Sequence, residues 1–191
     1  MRHTFQAEQW LPYPVDLVFA FFSNPQNLPP LMPAWQKARV EEAMLASPPQ
    51  GPPSRYRLRG AAAGVGSSIT LSFRPVPFSP LRIPWEATIT EFVWNEFFCD
   101  IQEPGRGPFA YWHHCHRVAT LAKDGVSGTN VNDEVEYELP FGSFGEMAHG
   151  LVRRQIEKTF TFRQQRVAEI LSQAMGGASA AASARPSPQP S

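Results

Sequence analysis

The chain has 191 residues, 42% hydrophobic and 18% charged, which is the composition of one globular domain with room for a buried core. Lys+Arg and Asp+Glu stand at 17 each, so no net field recruits nucleic acid or an acidic lipid surface. The two cysteines, Cys99 and Cys115, are too few for a disulfide framework or a cysteine-rich zinc site, and no apolar run reaches signal-peptide or membrane-spanning length. The expectation is a soluble, cytoplasmic protein with two reduced thiols.

In chain order, His3 to Leu11 reads as a first strand. Pro14 then opens a short helix with Val15, Val18, Phe19 and Phe22 on one face. Asn24-Pro25 pairs an N-cap with proline at the first helical position, which predicts a second short helix to about Leu31. Strand-like patterns follow over Lys37–Leu45, Ser54–Arg59, Ser67–Arg74, Trp85–Val93, Glu96–Gln102, Phe109–Leu121 and Thr129–Leu139. The connectors VWNE and EPGRGP suit tight turns, and SPPQGPPS (Ser47 to Ser54) is a proline-rich loop. Strands in succession without helical spacing between them predict a meandering antiparallel sheet.

The period then changes. Ser143 and Glu146 in PFGSFGEM form a capping-box pattern, and Phe144, Met147, Leu151, Ile156, Phe160, Val167, Ile170 and Leu171 recur at helical spacing. A helix of about thirty residues, ~45 Å long, crosses a whole sheet. Arg153, Arg154, Lys158, Arg163 and Arg166 are assigned to its solvated face. Gly176-Gly177 is read as the helix end, so residues 1–175 form the domain and the Ala/Ser/Pro-rich residues 176–191 a disordered tail.

The segment YWHHCH, Tyr111 to His116, is the densest chemistry in the chain. Strand alternation puts Trp112, His114 and His116 on one face and Tyr111, His113 and Cys115 on the other. In the following strand Glu134, Glu136 and Glu138 must face water, so Asp133, Val135 and Tyr137 face inward. Phe98, Asp100 and Gln102 share a row on the preceding strand. Pairing of the three strands brings Asp100 near Trp112 or His114, His116 near Asp133 or Val135, and His114 near Val135 or Tyr137. Inward polar groups must pair or meet water. Three arrangements answer that demand. Two histidines at i and i+2 with a carboxylate could grip a metal ion; a histidine held by Asp133 or Asp100 could move a proton; or the patch is a hydrogen-bonded network that shapes a pocket. The network is the expectation. No metal is expected, because spacing fixes no third ligand, and no cofactor.

The segments PVDLVFAFFSNPQNLPPLMPAW, PWEATITEF, FFCDIQEPGRGPFAYWHHCHRV, NDEVEYELPFGSFGE and QIEKTFTFRQQR together resemble the START-like, or SRPBCC, ligand-binding superfamily, above all its bacterial polyketide cyclase/dehydrase-like members. The resemblance spans about residues 3 to 172. It implies an α+β helix-grip fold: a seven-stranded curved antiparallel sheet around a long C-terminal helix, two short helices after the first strand, and a deep apolar cavity between sheet and helix. It also implies a small hydrophobic ligand, such as a lipid or polyketide. Some relatives of this branch occur beside, or fused to, an NAD-dependent epimerase-like protein, which makes such a protein a candidate partner. The expected pocket wall is Phe19, Phe22, Trp35, Phe73, Trp85, Ile89, Phe98, Trp112, Val135, Met147 and Leu151, with Asp100, Gln102, His114, His116, Asp133 and Tyr137 as its polar patch. The alternatives are a cyclase- or dehydratase-like enzyme, with His114 or His116 as base and Asp133 or Asp100 orienting it, and an interaction protein that docks a partner through the helix arginines or proline-rich segments.

Overall fold

The computed structural model describes residues 1–52 and 60–183, with side chains through residue 175. The elements run β1 (Arg2–Leu11), α1 (Val15–Phe22), β2 (Arg39–Met44), β3 (Ser68–Phe73), β4 (Ile83–Val93), β5 (Phe97–Gln102), β6 (Tyr111–Lys123), β7 (Val126–Glu138), α2 (Ser143–Met147) and α3 (His149–Ser183). The seven strands form one antiparallel sheet in the order β1-β7-β6-β5-β4-β3-β2. β2 to β7 follow one another as a meander, and β1 closes the far edge against β7. Asp124 and Gly125, both at positive φ (51° and 78°), make the two-residue turn that joins the longest pair, β6 and β7. The predicted strand Ser54–Arg59 lies outside the described residues.

The alternation in β7 is as the glutamates require. Val135 and Tyr137 are buried while Glu134, Glu136 and Glu138 keep 38–50% of their side chains in water. Two apolar clusters fill the space between sheet and α3. One gathers Phe19, Phe92, Phe98, Val118, Val131, Val167 and Leu171, and the other Phe5, Trp112, Val135, Tyr137, Ile156 and Phe160. No helix among the described residues is long and apolar enough to cross a membrane.

Four local expectations fail for identifiable reasons. The second short helix is two 3-10 turns, Pro25–Asn27 and Pro29–Leu31; Asn24 does cap the first by accepting from the Gln26 amide, but Pro29 and Pro30 bring no donors to continue a ladder. The capping box does not form: the N-cap of α2 is Gly142, and Glu146 reaches instead to His3 at 2.8 Å. α3 runs on to Ser183, through Gly176-Gly177. The expected thiols of Cys99 and Cys115 are a disulfide, because the register sets them directly opposite each other on β5 and β6.

Met147 and Leu151, expected in the pocket wall, are 85% and 74% exposed. Among the described side chains of α3, the buried ones are Ile156, Phe160, Val167 and Leu171, one face of a 3.6-residue period. Leu151 lies well over 100° from that face, Met147 ends α2 ahead of α3, and with Phe141 and Phe144 they form an exposed apolar rim.

Gln102, assigned to the polar patch, clamps the β5–β6 turn: its amide donates to the Phe109 carbonyl at 2.6 Å and its oxygen accepts from the Phe109 amide. A Cβ on Gly107 would stand 2.1 Å from that oxygen. Gly107→Ala should therefore break the clamp and cost about 1–3 kcal/mol in urea unfolding. It should add little to Gln102→Ala; additive losses would show that the two do not share one device.

Candidate functional site

The inward rows of β5, β6 and β7 meet as paired residues. Asp100 lies opposite His114, and His116 opposite Asp133. His114 Nδ1 is 3.1 Å from Asp100 Oδ1 and its Nε2 is 2.9 Å from Asp133 Oδ1. His116 Nδ1 approaches the same Asp133 oxygen at 2.7 Å. From α3, Arg163 brings its guanidinium to 4.0 Å from that oxygen, stacked over Phe22 and near Phe160. The network is a polar layer lodged between the two apolar clusters. His116 is enclosed, with Phe22 and Phe98 rings at 4.1 and 5.1 Å, and its Nε2 is buried with no hydrogen-bond partner among the described residues.

These contacts give the two histidines opposite states. Burial alone would push His114 down, but the hydrogen bonds and charges of Asp100 and Asp133 outweigh it and raise its pKa to about 9. Both of its nitrogens then donate to carboxylates, and neither keeps a lone pair. His116 is held below the usual histidine value by burial, and by the positive charges of Arg163 and His114, against the pull of Asp133. It is neutral, with Nδ1–H donating to Asp133 and Nε2 left as an acceptor. Burial would raise Asp133, yet Arg163 and the two histidines hold it well below the carboxylate range.

The donor atoms of His114, His116 and Asp133 lie within 4.8 Å of one another, so Asp133 is the third group that spacing left unfixed. In this arrangement those atoms bond to each other, and a cation would have to replace those hydrogen bonds. Of the proposed bases only His116 has a free nitrogen.

The remaining predicted wall divides. Trp85 meets Trp112 and Phe109 edge to face, and Phe109 meets Tyr137 likewise; the Tyr137 hydroxyl is 3.2 Å from His149. Phe73 lies against Trp85, and Val135 sits under α3 in the same region. Phe19, Ile89 and Phe98 belong to the other cluster, and Trp35 is half-buried on a 3-10 turn in neither. These side chains lie in the region where the resemblance implies a deep cavity. A hollow of about 320 Å³ lies along the solvent side of α3, lined by Arg154, Glu157, Lys158, Thr161, Phe162 and Gln165. Arg163 was assigned to the solvated face and belongs to the site. Its position, three residues after Phe160 and four before Val167, already put it on the buried face.

The family model for polyketide cyclase/dehydrase and lipid transport matches residues 11–165. Among solved structures, a Chromobacterium violaceum protein from a structural genomics programme is similar at TM-score 0.60 and 15% identity, covering 88% of this chain and 96% of its own. Norcoclaurine synthase from Thalictrum flavum is similar at TM-score 0.58 and 14% identity, covering 90% and 87%. A Thermus thermophilus protein is similar at TM-score 0.56 and 16% identity, covering 90% and 99%. Structural likeness at such low identities shows a shared fold and nothing further. No curated protein matches the chain.

The raised pKa of His114 makes stability depend on pH. The folded state keeps a proton that the unfolded chain releases near 6.5, so this contribution is complete below about 6.5 and is lost as pH rises through about 9. Unfolding free energy should fall by on the order of 3 kcal/mol between pH 7 and 10. His114→Gln should be less stable at pH 7 and nearly flat across that range. A parent protein whose denaturation midpoint does not move would mean His114 is not charged.

Proposed function

The chain belongs to the polyketide cyclase/dehydrase and lipid-transport family, and on that premise we propose that it binds a small, mostly hydrophobic molecule whose polar end is a hydroxyl. The ligand lies between the sheet and α3. The observation that carries this reading is the orphaned Nε2 of His116. A buried acceptor without a partner costs about 1–3 kcal/mol, and a hydroxyl donating to it recovers that cost. The aromatic rings around it suit an apolar body. Phe78 and Leu81 beyond β3, and Phe141, Phe144, Met147 and Leu151 beyond β7, are exposed at the same end of the sheet. That apolar rim offers an entrance, and about 17 Å of β6 separates Tyr111 at the rim from His116.

The same nitrogen favours a second reading. An Asp–His pair with a free, neutral Nε2 is a general base, and one fold neighbour is by name a synthase. Asp133 would orient His116, and His114, with no lone pair, would serve as a fixed positive charge.

A matched pair of probes separates these. 2-Naphthol should bind about tenfold more tightly than its methyl ether, the worth of one buried hydrogen bond, measured by tryptophan quenching. The preference should disappear in His116→Phe. Equal affinity for the two probes in the parent would sink the hydroxyl reading. Turnover of a phenolic or keto substrate that collapses in His116→Gln while naphthol still binds would replace binding by catalysis.

A further inference from the structure

We infer that Cys99, His113 and Cys115, on the face of the sheet away from α3, form a redox-gated site for a divalent ion of the zinc type, opened when their disulfide is reduced. The register builds it. Cys99 on β5 pairs with Cys115 on β6; Glu91 on β4 lies beside Cys99, and Glu134 on β7 beside Cys115. Directly paired residues share a face, so these four form one row across four strands. His113, two residues before Cys115, joins that face one step along β6.

The donor atoms are already gathered. The sulfurs and the His113 nitrogen lie within 4.8 Å of one another, and His113 Nε2 is 3.7 Å from Cys115 Sγ. A tetrahedral zinc ion with sulfur at ~2.3 Å and nitrogen at ~2.05 Å sets that edge at roughly 3.6 Å. The two sulfurs would have to separate to about 3.8 Å, which the loss of their bond permits. Two thiolates and an imidazole suit zinc better than a hard cation such as magnesium. Three protein donors leave the fourth position to water. The flanking carboxylates add negative charge, part of it taken by Arg117, which reaches Glu134 at 3.4 Å. Cys99 and Cys115 are buried and His113 is half-buried, so the ion enters beside the imidazole.

The gating step balances. A dithiol gives two electrons and two protons to the Cys99–Cys115 bond, becomes a disulfide, and leaves two thiols. The ion then displaces those two protons, and the site holds either a sulfur–sulfur bond or a metal, never both. The inward network on β6 has no sulfur, which makes the two sites spectroscopically distinct.

Cobalt(II) is the probe. The full chain is reduced with a phosphine, which is oxidised to its oxide by taking oxygen from water, and desalted under argon. One equivalent of cobalt should then bring thiolate-to-cobalt charge transfer in the near ultraviolet and intense tetrahedral bands in the red. The oxidised parent, a folded control with no thiol, should show neither. Cys99→Ser and Cys115→Ser should each lose most of the charge-transfer intensity, and His113→Ala should weaken binding about tenfold or more. A reduced protein that takes no cobalt, or takes it without charge transfer, would overturn the inference, as would His113→Ala binding as tightly as the parent.

Discussion

A single carboxylate oxygen, Oδ1 of Asp133, holds the interior together. It accepts from two imidazoles on β6 and lies within reach of a guanidinium on α3. A buried negative charge costs several kcal/mol unless it is paired and hydrogen-bonded, so the folded state must deliver all of these partners at once. That demand fixes the register of β6 against β7, since a slip of one residue would turn both histidines out and leave Asp133 alone. It also joins the helix to the sheet by charge, where other polar contacts across that seam, such as Tyr137 with His149 and Gln9 with the Gln164 carbonyl, are hydrogen bonds. The layer between the two hydrophobic clusters is thus a constraint on how they fit together.

One shared acceptor also makes two identical side chains chemically different. His114 is bracketed by Asp100 and Asp133 and is held charged with both protons engaged. His116 meets one carboxylate, is enclosed by aromatic rings, and lies in the field of two cations, so it stays neutral. Of the two, only the neutral ring keeps a nitrogen free, and that nitrogen is the acceptor the proposed hydroxyl would meet. The charged ring beside it keeps Asp133 ionised and so holds the neutral ring in one tautomer.

Much of this was legible in the sequence, because strand parity is a strict code. The alternation of glutamates in β7 set its inward row, and parity alone narrowed each partner of Asp100, His114 and His116 to two candidates, one of which is observed. The helix is less legible, because polarity and phase disagree along it. Polarity puts Arg163 outside and Leu151 inside, whereas the positions of Ile156, Phe160 and Val167 put each on the opposite side. Contacts far apart in the chain left no local trace. Glu146 completes a capping box on paper, but His3, 143 residues away, takes its carboxylate. Gln102 looked like a ligand contact and serves the turn that follows it. The pairing of Cys99 with Cys115 was visible in the register, whereas their oxidation state is chemistry that no spacing encodes.

The six residues YWHHCH carry two chemistries because a strand has two faces. Trp112, His114 and His116 look toward α3, while His113 and Cys115 look away, and the backbone between them admits no side-chain contact across the sheet. The two faces are nevertheless linked through the ladder. Cys99 with Cys115 and Asp100 with His114 are successive pairs of the same two strands. Whatever holds the outer pair, a bond or an ion, therefore holds β5 against β6 one residue from the place where Asp100 brackets His114. Widening the outer pair would strain the inner pair first, and through His114 the oxygen of Asp133. The inward network thus depends on the outward pair through strand position alone.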